Sequence, residues 1–405
     1  MPHSIATNPP HLGEARDPQV SGPADRHVSG VVGRLAPSPT GQLHLGNAWA
    51  FLLAWLGARS AGGRVVLRLE DIDPERARPE FAAGIVRDLR WLGLDWDEGP
   101  DVGGPHGPYE QSGRLDFYAG ALGRLEAAGR VYPCFCTRKE LRSLASAPHA
   151  SVAEDGSPIY PGTCRNLSAT ERDALARQGR RPACRLRCDD IAVAFDDLVA
   201  GPQRMTLHDC GGDFALRRSD GVFAYQLAVV LDDIAMGVTQ VVRGDDILSS
   251  TPRQIFLHQL LGAPVPQYAH LPLVLDAEGE RLAKRHQSLT LAALRESGVA
   301  APAIVGYLAW RAGLRAASVA GTSAAAGSTQ AGSTQAGPTQ AGATQAGGIM
   351  SGPGSAGPIP PGVEESEPSP AWPGQLLQDF DFSLLPRGPV RLPADIAAVL
   401  KRLSA

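Results

Sequence analysis

The 405-residue chain contains no run of about 18 apolar residues, which excludes a membrane-spanning helix. Its first thirty residues lack an apolar stretch of the kind a signal peptide needs. Arg16 and Arg26 there are offset by Glu14 and Asp17, so 1–30 reads as a disordered leader. Excess charge is also missing. With 38 Lys and Arg against 42 Asp and Glu, the formal net charge is −4, so the protein is not basic overall and any nucleic-acid contact needs a local patch. Arg177, Arg180, Arg181, Arg185 and Arg187 form one such cluster, readable equally as a solvated surface or a phosphate-contacting face. Cysteine is scarce: six residues, all between Cys134 and Cys210, which points to metal ligation or reduced thiols rather than a disulfide framework. From Ala316 to Val363 there is neither a charge nor an aromatic ring, and AGxTQ repeats run in tandem from Ala326 to Gln345. A repeat that short matches no solenoid or propeller period, and the segment lacks the apolar surface to offset its ordering entropy. We read 316–370 as a disordered insert, leaving a folded mass near 31–315 and a short tail at 371–405.

The first informative segment runs from Val31 to Gly57. Val31, Val32 and Leu35 suggest a short buried strand that ends in a Pro-Ser-Pro-Thr-Gly turn. Leu45, Trp49, Leu52, Leu53 and Leu56 then recur at helical spacing. A strand, a tight turn and a helix entrance put free backbone N–H groups and a positive dipole end at one point, which suits a phosphate. His44 and Asn47 at that entrance can add side-chain donors.

These residues resemble the opening signature of the class I glutamyl-tRNA synthetases. Arg34-Leu35-Ala36-Pro37-Ser38-Pro39-Thr40-Gly41 is similar to R-F-A-P-S-P-T-G, and His44-Leu45-Gly46-Asn47 to the HIGH-type motif, with Asn in place of the last His. The resemblance continues in order through Arg68-Leu69-Glu70-Asp71-Ile72-Asp73-Pro74, Phe223-Ala224-Tyr225-Gln226-Leu227-Ala228 and Val241-Val242-Arg243-Gly244-Asp245-Asp246. Ser250-Thr251-Pro252-Arg253-Gln254 then opens a helix with a hydroxyl cap and an early Pro.

Glutamate carries two carboxylates and an ammonium, so a site for it needs cationic forks and an anion. Arg34 and Arg243 offer the forks, Glu70 the anion and Tyr225 a hydroxyl. The resemblance implies that these residues, with the backbone of Arg34, Leu35, Ala36, Pro37 and Ser38, line an L-glutamate site. Preference for glutamate over glutamine rests on the resemblance. It also implies ATP binding, with Mg2+, by Thr40, His44, Gly46, Asn47 and Lys284, and catalytic roles for His44, Asn47 and Lys284. Arg281-Leu282-Ala283-Lys284-Arg285-His286 stands where the family has K-M-S-K-S. It is degenerate, but Lys284 keeps the slot that neutralises charge growing on pyrophosphate.

Cys134, Cys136 and Cys164 can fill most of a tetrahedral zinc shell. By chemistry alone His149 competes with Tyr160 for the remaining place. The resemblance, to a queuosine-directed branch with C-x-C and Y-x-x-x-C, implies Cys134, Cys136, Tyr160 and Cys164 as ligands of one structural Zn2+. Residues 146–158 read as a loop enlarging this module, and Cys184, Cys188 and Cys210 as free buried thiols.

After Lys284 there are 121 residues, 48 of them in the charge-free stretch, which leaves too few for anticodon-reading domains. Asp379–Pro386 resembles the short ending of the truncated branch. That branch transfers glutamate to queuosine in the anticodon of tRNA(Asp). The alternatives are a truncated enzyme charging a tRNA 3′ end, or a non-catalytic zinc-braced RNA-binding relative. The fold implied is α/β: a Rossmann-type doubly wound parallel sheet with ligand at the strands' carboxyl ends. Its halves, 31–130 and 201–290, would be split by a zinc-bearing acceptor-contacting module at 131–200. A helical stem-contact region at 291–315 would follow, with the 371–405 tail packing back. The resemblance also implies a cytoplasmic monomer with no membrane partner.

Overall fold

A computed structural model describes residues 30–145, 159–282, 287–314, 368–378 and 380–405. The leader, the 146–158 loop with His149, Lys284, and most of the repeat-bearing insert lie outside the described residues.

The described chain begins with β1 (Val32–Leu35), α1 (Leu45–Ser60) and β2 (Arg64–Leu67), a β-α-β return that pairs β1 with β2 in parallel from Val32↔Arg64 to Leu35↔Leu67. Gly63 sits where the two strands close in: a Cβ there would lie 2.2 Å from the Val31 carbonyl oxygen. Helices α2 (Pro79–Trp91) and α3 (Leu115–Ala127) follow, then β3 (Val131–Cys134), α4 (Arg138–Ala145), α5 (Ala169–Arg177) and β4 (Ala183–Leu186). Next come β5 (Ala192–Asp197), β6 (Gly201–Thr206), β7 (Ala215–Arg217), α6 (Tyr225–Ala235), β8 (Gln240–Gly244), α7 (Thr251–Leu260) and β9 (Gln267–Leu271). The short β10 (Val274–Leu275), α8 (Leu291–Glu296), α9 (Ala301–Arg311), β11 (Val390–Arg391) and α10 (Ile396–Ser404) complete the order.

The larger sheet runs β6-β5-β9-β8, with β8 and β5 both parallel to β9. It meets the β1–β2 pair where the Thr239 N–H donates to the Val32 carbonyl at 2.9 Å and the Val32 N–H to Thr239 Oγ1 at 2.8 Å. Alternate strand residues enter different cores. Val65, Leu67, Val242, Ala269 and Leu271 pack with α1, α2 and α9, whereas Val66, Val241 and Tyr268 pack with α3, α6 and α7. Helices therefore cover both faces, as period-two apolar strands require. The expectation of a wholly parallel sheet needs correcting at one edge. β5 and β6 pair antiparallel because only Leu198–Ala200 separate them, too little chain for a parallel crossover.

A separate sheet, β3-β4-β7, is antiparallel throughout. Its strands interleave with the larger sheet along the chain, since β5 and β6 lie between β4 and β7. Residue 200 therefore falls inside the β5–β6 hairpin and not at a boundary between sheets.

Helix α1 is buried nearly all round, from Leu45 through Ala58. The strands cover one side, and the tail covers another: the Phe382 ring fills the space where a Gly57 Cβ would lie, 2.5 Å away. β11 pairs in parallel with β10, Ala371 N–H donates to the Pro302 carbonyl at 2.9 Å, and Ile396 and Leu400 join the α1 core. Leu53→Ala, at a site with 0% exposure, should lower the unfolding free energy by about 2–5 kcal/mol. Leu384→Ala, 48% exposed, should change it by less than about 0.5 kcal/mol. Urea titration of both variants measures the contrast, and similar losses would mean that α1 is not buried as described.

Candidate active site and thiol cluster

The charged residues singled out in the sequence gather at the carboxyl ends of the parallel strands, as doubly covered α/β sheets favour. Arg34 stands on β1, Arg68 and Glu70 just past β2, and Arg243 on β8. The turn after β1 is used as scaffold: the Leu35 and Pro37 carbonyls accept the Arg68 and Glu70 N–H groups, both at 2.9 Å. Ala36 is half-buried, Pro37 buried and Ser38 exposed.

Arg34 is buried, and its guanidinium donates to the Val242 carbonyl at 3.0 Å. Its Nε lies 3.9 Å from Asp233, too far to bond, and has no hydrogen-bond partner among the described residues. Burial lowers its affinity for a proton, Asp233 opposes that, and the nearby Arg68 and Arg243 cations add to it. A buried guanidinium with donors in hand and like charges around it favours an anionic ligand. Burial pushes the Glu70 carboxyl up from its ordinary value, against the pull of Arg68 and Arg34. A carboxylate so placed gains from a bound ammonium.

Arg68, which opens the Arg68–Pro74 motif, is a central residue that the sequence does not single out. It is fully buried, donating to Asp233 Oδ1 at 2.8 Å and to Glu70 Oε1 at 3.2 Å, with Asp232 Oδ2 3.7 Å from its Nε. Burial disfavours its charge, yet the three carboxylates outweigh that and raise its pKa. Asp232 in turn accepts from Arg114 Nε at 2.7 Å, Gln111 Nε2 at 2.9 Å and Tyr118 Oη at 2.9 Å. Removing one member of such a network leaves an uncompensated buried charge, which costs about 3–5 kcal/mol. The signal in the sequence is Asp232-Asp233 directly after the apolar run Leu227–Leu231 of α6.

Arg243 is buried and already held by protein acceptors. It donates to His270 Nε2 at 3.0 Å, Gln254 Oε1 at 2.7 Å and Thr251 Oγ1 at 2.7 Å, with Tyr225 Oη at 3.4 Å. Gln254 passes the chain on, donating to Gln226, which donates to Ser250 Oγ, each at 2.9 Å. The sequence suggested a free bidentate fork, whereas the structure has one locked by neighbours. Tyr225, 36% exposed, forms the outer wall beside it.

At the helix entrance, His44 is the N-cap of α1. Its Nδ1 accepts the Gly46 N–H at 3.1 Å, while Asn47 Oδ1 accepts the His44 N–H at 3.0 Å. The ring proton of a neutral His44 therefore sits on Nε2. Gly46 belongs here because a Cβ would lie 3.1 Å from the His44 ring. A cavity of about 770 Å³ opens beside this cap, lined by Thr40, Gly41, His44, Phe81, Ser288 and Thr290 among others. That volume suits a nucleotide-sized ligand. Among the residues expected to bind ATP, Thr40 and His44 line the cavity, Gly46 and Asn47 hold the cap, and Lys284 lies outside the described residues.

The second cluster lies around β3. The Sγ atoms of Cys134, Cys136 and Cys164 are within 4.8 Å of one another, with 3.6 Å between Cys136 and Cys164. Tyr160 Oη is 3.3 Å from Cys134 Sγ and 3.9 Å from Cys136 Sγ. A tetrahedral zinc with Zn–S bonds of about 2.3 Å has edges of about 3.8 Å, so the donor set fits in size and chemistry. The Arg185 guanidinium lies 3.8 Å over the Tyr160 ring. Burial and the neighbouring Cys134 push the Tyr160 phenol well above its ordinary value, against the 2.9 Å hydrogen bond that the Cys164 N–H donates to its Oη, so its service as a ligand would need a metal ion to favour the ionised form. Cys184, Cys188 and Cys210 are buried and unbridged.

The basic cluster divides. Arg185 is buried and donates to the Asp213 carbonyl, Arg187 donates to the Arg165 carbonyl and lies over the Tyr132 ring, and Arg180 pairs with Glu140. Arg177 and Arg181 remain exposed.

The family of class I (E and Q) tRNA synthetase catalytic domains matches residues 30–341. A glutamyl-Q tRNA(Asp) synthetase of Nitratidesulfovibrio vulgaris is 68% identical over 284 residues, 70% of this chain and 87% of that protein. Another, from Symbiobacterium thermophilum, is 48% identical over 370 residues, 91% of this chain and 98% of that protein. A glutamate–tRNA ligase of Sulfurihydrogenibium is 42% identical over 68% of this chain but 57% of its own length. The crystal structure of a glutamate–tRNA synthetase from Elizabethkingia anophelis superposes with a TM-score of 0.67 at 25% identity, covering 92% of this chain and 70% of that one. Fold and ordered motifs agree with these relatives: the chain belongs to the class I tRNA synthetases of the E and Q type and, within them, to the glutamyl-Q tRNA(Asp) synthetase group.

Proposed function

We propose that this ligase activates L-glutamate with ATP without needing tRNA, then esterifies the glutamyl group to the cyclopentenediol of queuosine in the anticodon of tRNA(Asp). The observation that carries the amino-acid part is the convergence of Arg34, Glu70, Tyr225 and Arg243 at the strand ends. The names of the relatives that match most of their own length support the acceptor.

In this reading Arg34 and Arg243 take the two carboxylates, Glu70 takes the ammonium, and Tyr225 closes the outer side. The Leu35–Ser38 backbone forms the floor. A glutamate carboxylate oxygen attacks the α-phosphorus of ATP, and the bond to the bridging oxygen breaks to release pyrophosphate. Thr40, His44 and Asn47 present side-chain donors to the phosphates at the α1 entrance, Gly46 contributes through the cap that its N–H makes with His44, and Lys284 offsets the charge that grows on the leaving group. A queuosine hydroxyl then attacks the acyl carbon and AMP departs. Mg2+ accompanies ATP. Cys134, Cys136, Tyr160 and Cys164 would hold one Zn2+, whose contribution is to brace the module around β3 without entering the reaction.

Glutamate-dependent exchange of pyrophosphate into ATP should occur without tRNA, and its absence would remove the activation reading. Lys284→Ala should depress that exchange by about a hundredfold or more while zinc content stays unchanged. Cys136→Ser should lower the zinc content measured by elemental analysis, or the melting temperature, while sparing exchange in the protein that remains folded. Labelled glutamate should transfer to queuosine-bearing tRNA(Asp), and periodate oxidation of the cyclopentenediol should abolish the transfer. The identity of 42–46% to glutamate–tRNA ligases favours a second reading, charging of a tRNA 3′ end. Charging of unmodified tRNA(Glu) at its 3′ end would establish that reading instead.

A further inference from the structure

His270 lies on β9 beneath Arg243, and its side chain and that of Asp197 both have 0% exposure. Asp197 closes β5, and its Oδ1 accepts from the backbone N–H groups of Val199 at 3.0 Å, Ala200 at 2.8 Å and His270 at 3.0 Å. Only Oδ2 is left for the imidazole, and it sits 2.6 Å from His270 Nδ1. On the other side of the ring, His270 Nε2 is 3.0 Å from Arg243 Nε and 3.0 Å from Thr251 Oγ1. An arginine Nε can only donate, so Nε2 must carry a lone pair and the ring proton must sit on Nδ1, facing the carboxylate. Burial lowers the imidazole pKa, and the His270 and backbone hydrogen bonds hold the Asp197 carboxyl below its ordinary value, in keeping with a neutral ring beside an anion.

We propose that Asp197 and His270 are positioning residues for Arg243: the carboxylate fixes the imidazole as the Nδ1–H tautomer, and the unprotonated Nε2, with Thr251, aims the guanidinium at one carboxylate of a dicarboxylic amino acid. Neither residue touches the substrate. The inference rests on the reading of Arg243 as a glutamate ligand. It extends that reading by tracing the orientation of the guanidinium back to the β5–β6 hairpin, the antiparallel edge of the sheet.

Asp197→Asn tests it in an unusually specific way. The three backbone N–H donors hold an oxygen at the Oδ1 place, so the new amide must put its NH2 group at the Oδ2 place, against Nδ1. The ring proton then moves to Nε2, where it opposes the Arg243 Nε–H. In the full chain, glutamate-dependent ATP–pyrophosphate exchange should show the KM for glutamate rising by about tenfold or more, because opposed buried donors are costly. The KM for ATP should stay within about twofold, the glutamate contact alone being disturbed. Adding His270→Gln, whose amide oxygen can accept from Arg243 whatever its neighbour donates, should recover most of the loss. Histidine 15N spectra of the full chain read the tautomer independently of activity: His270 Nε2 should be unprotonated in the parent and protonated in Asp197→Asn. An unchanged tautomer, an equal rise in both KM values, or no recovery in the double variant would overturn the proposal. Arg243→Ala separates the two levels. If it leaves the glutamate KM unchanged, the reading of the site fails. If it raises that KM while Asp197→Asn does not, only the positioning role fails.

Discussion

Arg68 is a guanidinium with no exposed surface, and the site is arranged around the need to keep it paired. It draws Asp233 and Asp232 of α6 to the end of β2, and it holds Glu70 two residues further along its own strand exit. Asp232 in turn recruits Arg114, Gln111 and Tyr118, so α3 and the turn before it are tied to the same point. In water such pairs would contribute little, but in the interior the cost of an unmatched charge makes each partner nearly obligatory. The consequence for function is geometric. Glu70 is held by a charged network that cannot rearrange without leaving a buried ion alone, and Arg34 lies beside that network, bonded to the Val242 carbonyl.

Arg243 reaches the same region by a different route. Its surroundings are mostly neutral acceptors: an imidazole nitrogen, a hydroxyl and an amide oxygen. Neutral acceptors orient a guanidinium while leaving its charge uncancelled, whereas the carboxylates around Arg68 cancel it. One buried arginine therefore has its charge cancelled by its partners and the other does not, and the difference lies in the partners rather than in burial, which the two share.

Local features were legible from residue order. The strand, turn and capped helix from Val32 to Ser60 follow from apolar spacing and the Pro-Ser-Pro-Thr-Gly turn, and the three thiols meet because short spacing puts two of them beside β3. The interactions that position the site were not legible. Arg68 and Asp233 lie 165 residues apart, and Asp197 and His270 lie 73 apart. Periodicity reports which face a residue occupies, but not which distant element meets that face. The same limit explains the basic cluster. Arg185 and Arg187 look like surface charge in sequence, yet they alternate along and just past β4, where their neighbours are aromatic rings and carbonyls. The antiparallel β6 was hidden because a hairpin and a crossover begin with the same apolar strand.

The N-terminus of α1 shows how capping and chemistry can be reconciled. A capping box ordinarily sets an acid at the third helical position, and α5 does this with Ser168 and Glu171. In α1 the reciprocal pair is His44 with Asn47, and no acid occurs in the first turn. The cap satisfies the same backbone donors, but it brings no negative charge to the positive end of the helix dipole. An acid at position 47 could make the same bond to the His44 N–H while repelling a polyphosphate in the adjoining cavity. The amide keeps the helix start closed without adding a second carboxylate to a cavity whose lining already includes Glu296, so the departure of Asn47 from the usual His retains the one property that both residues can provide: a side chain able to cap without an anion.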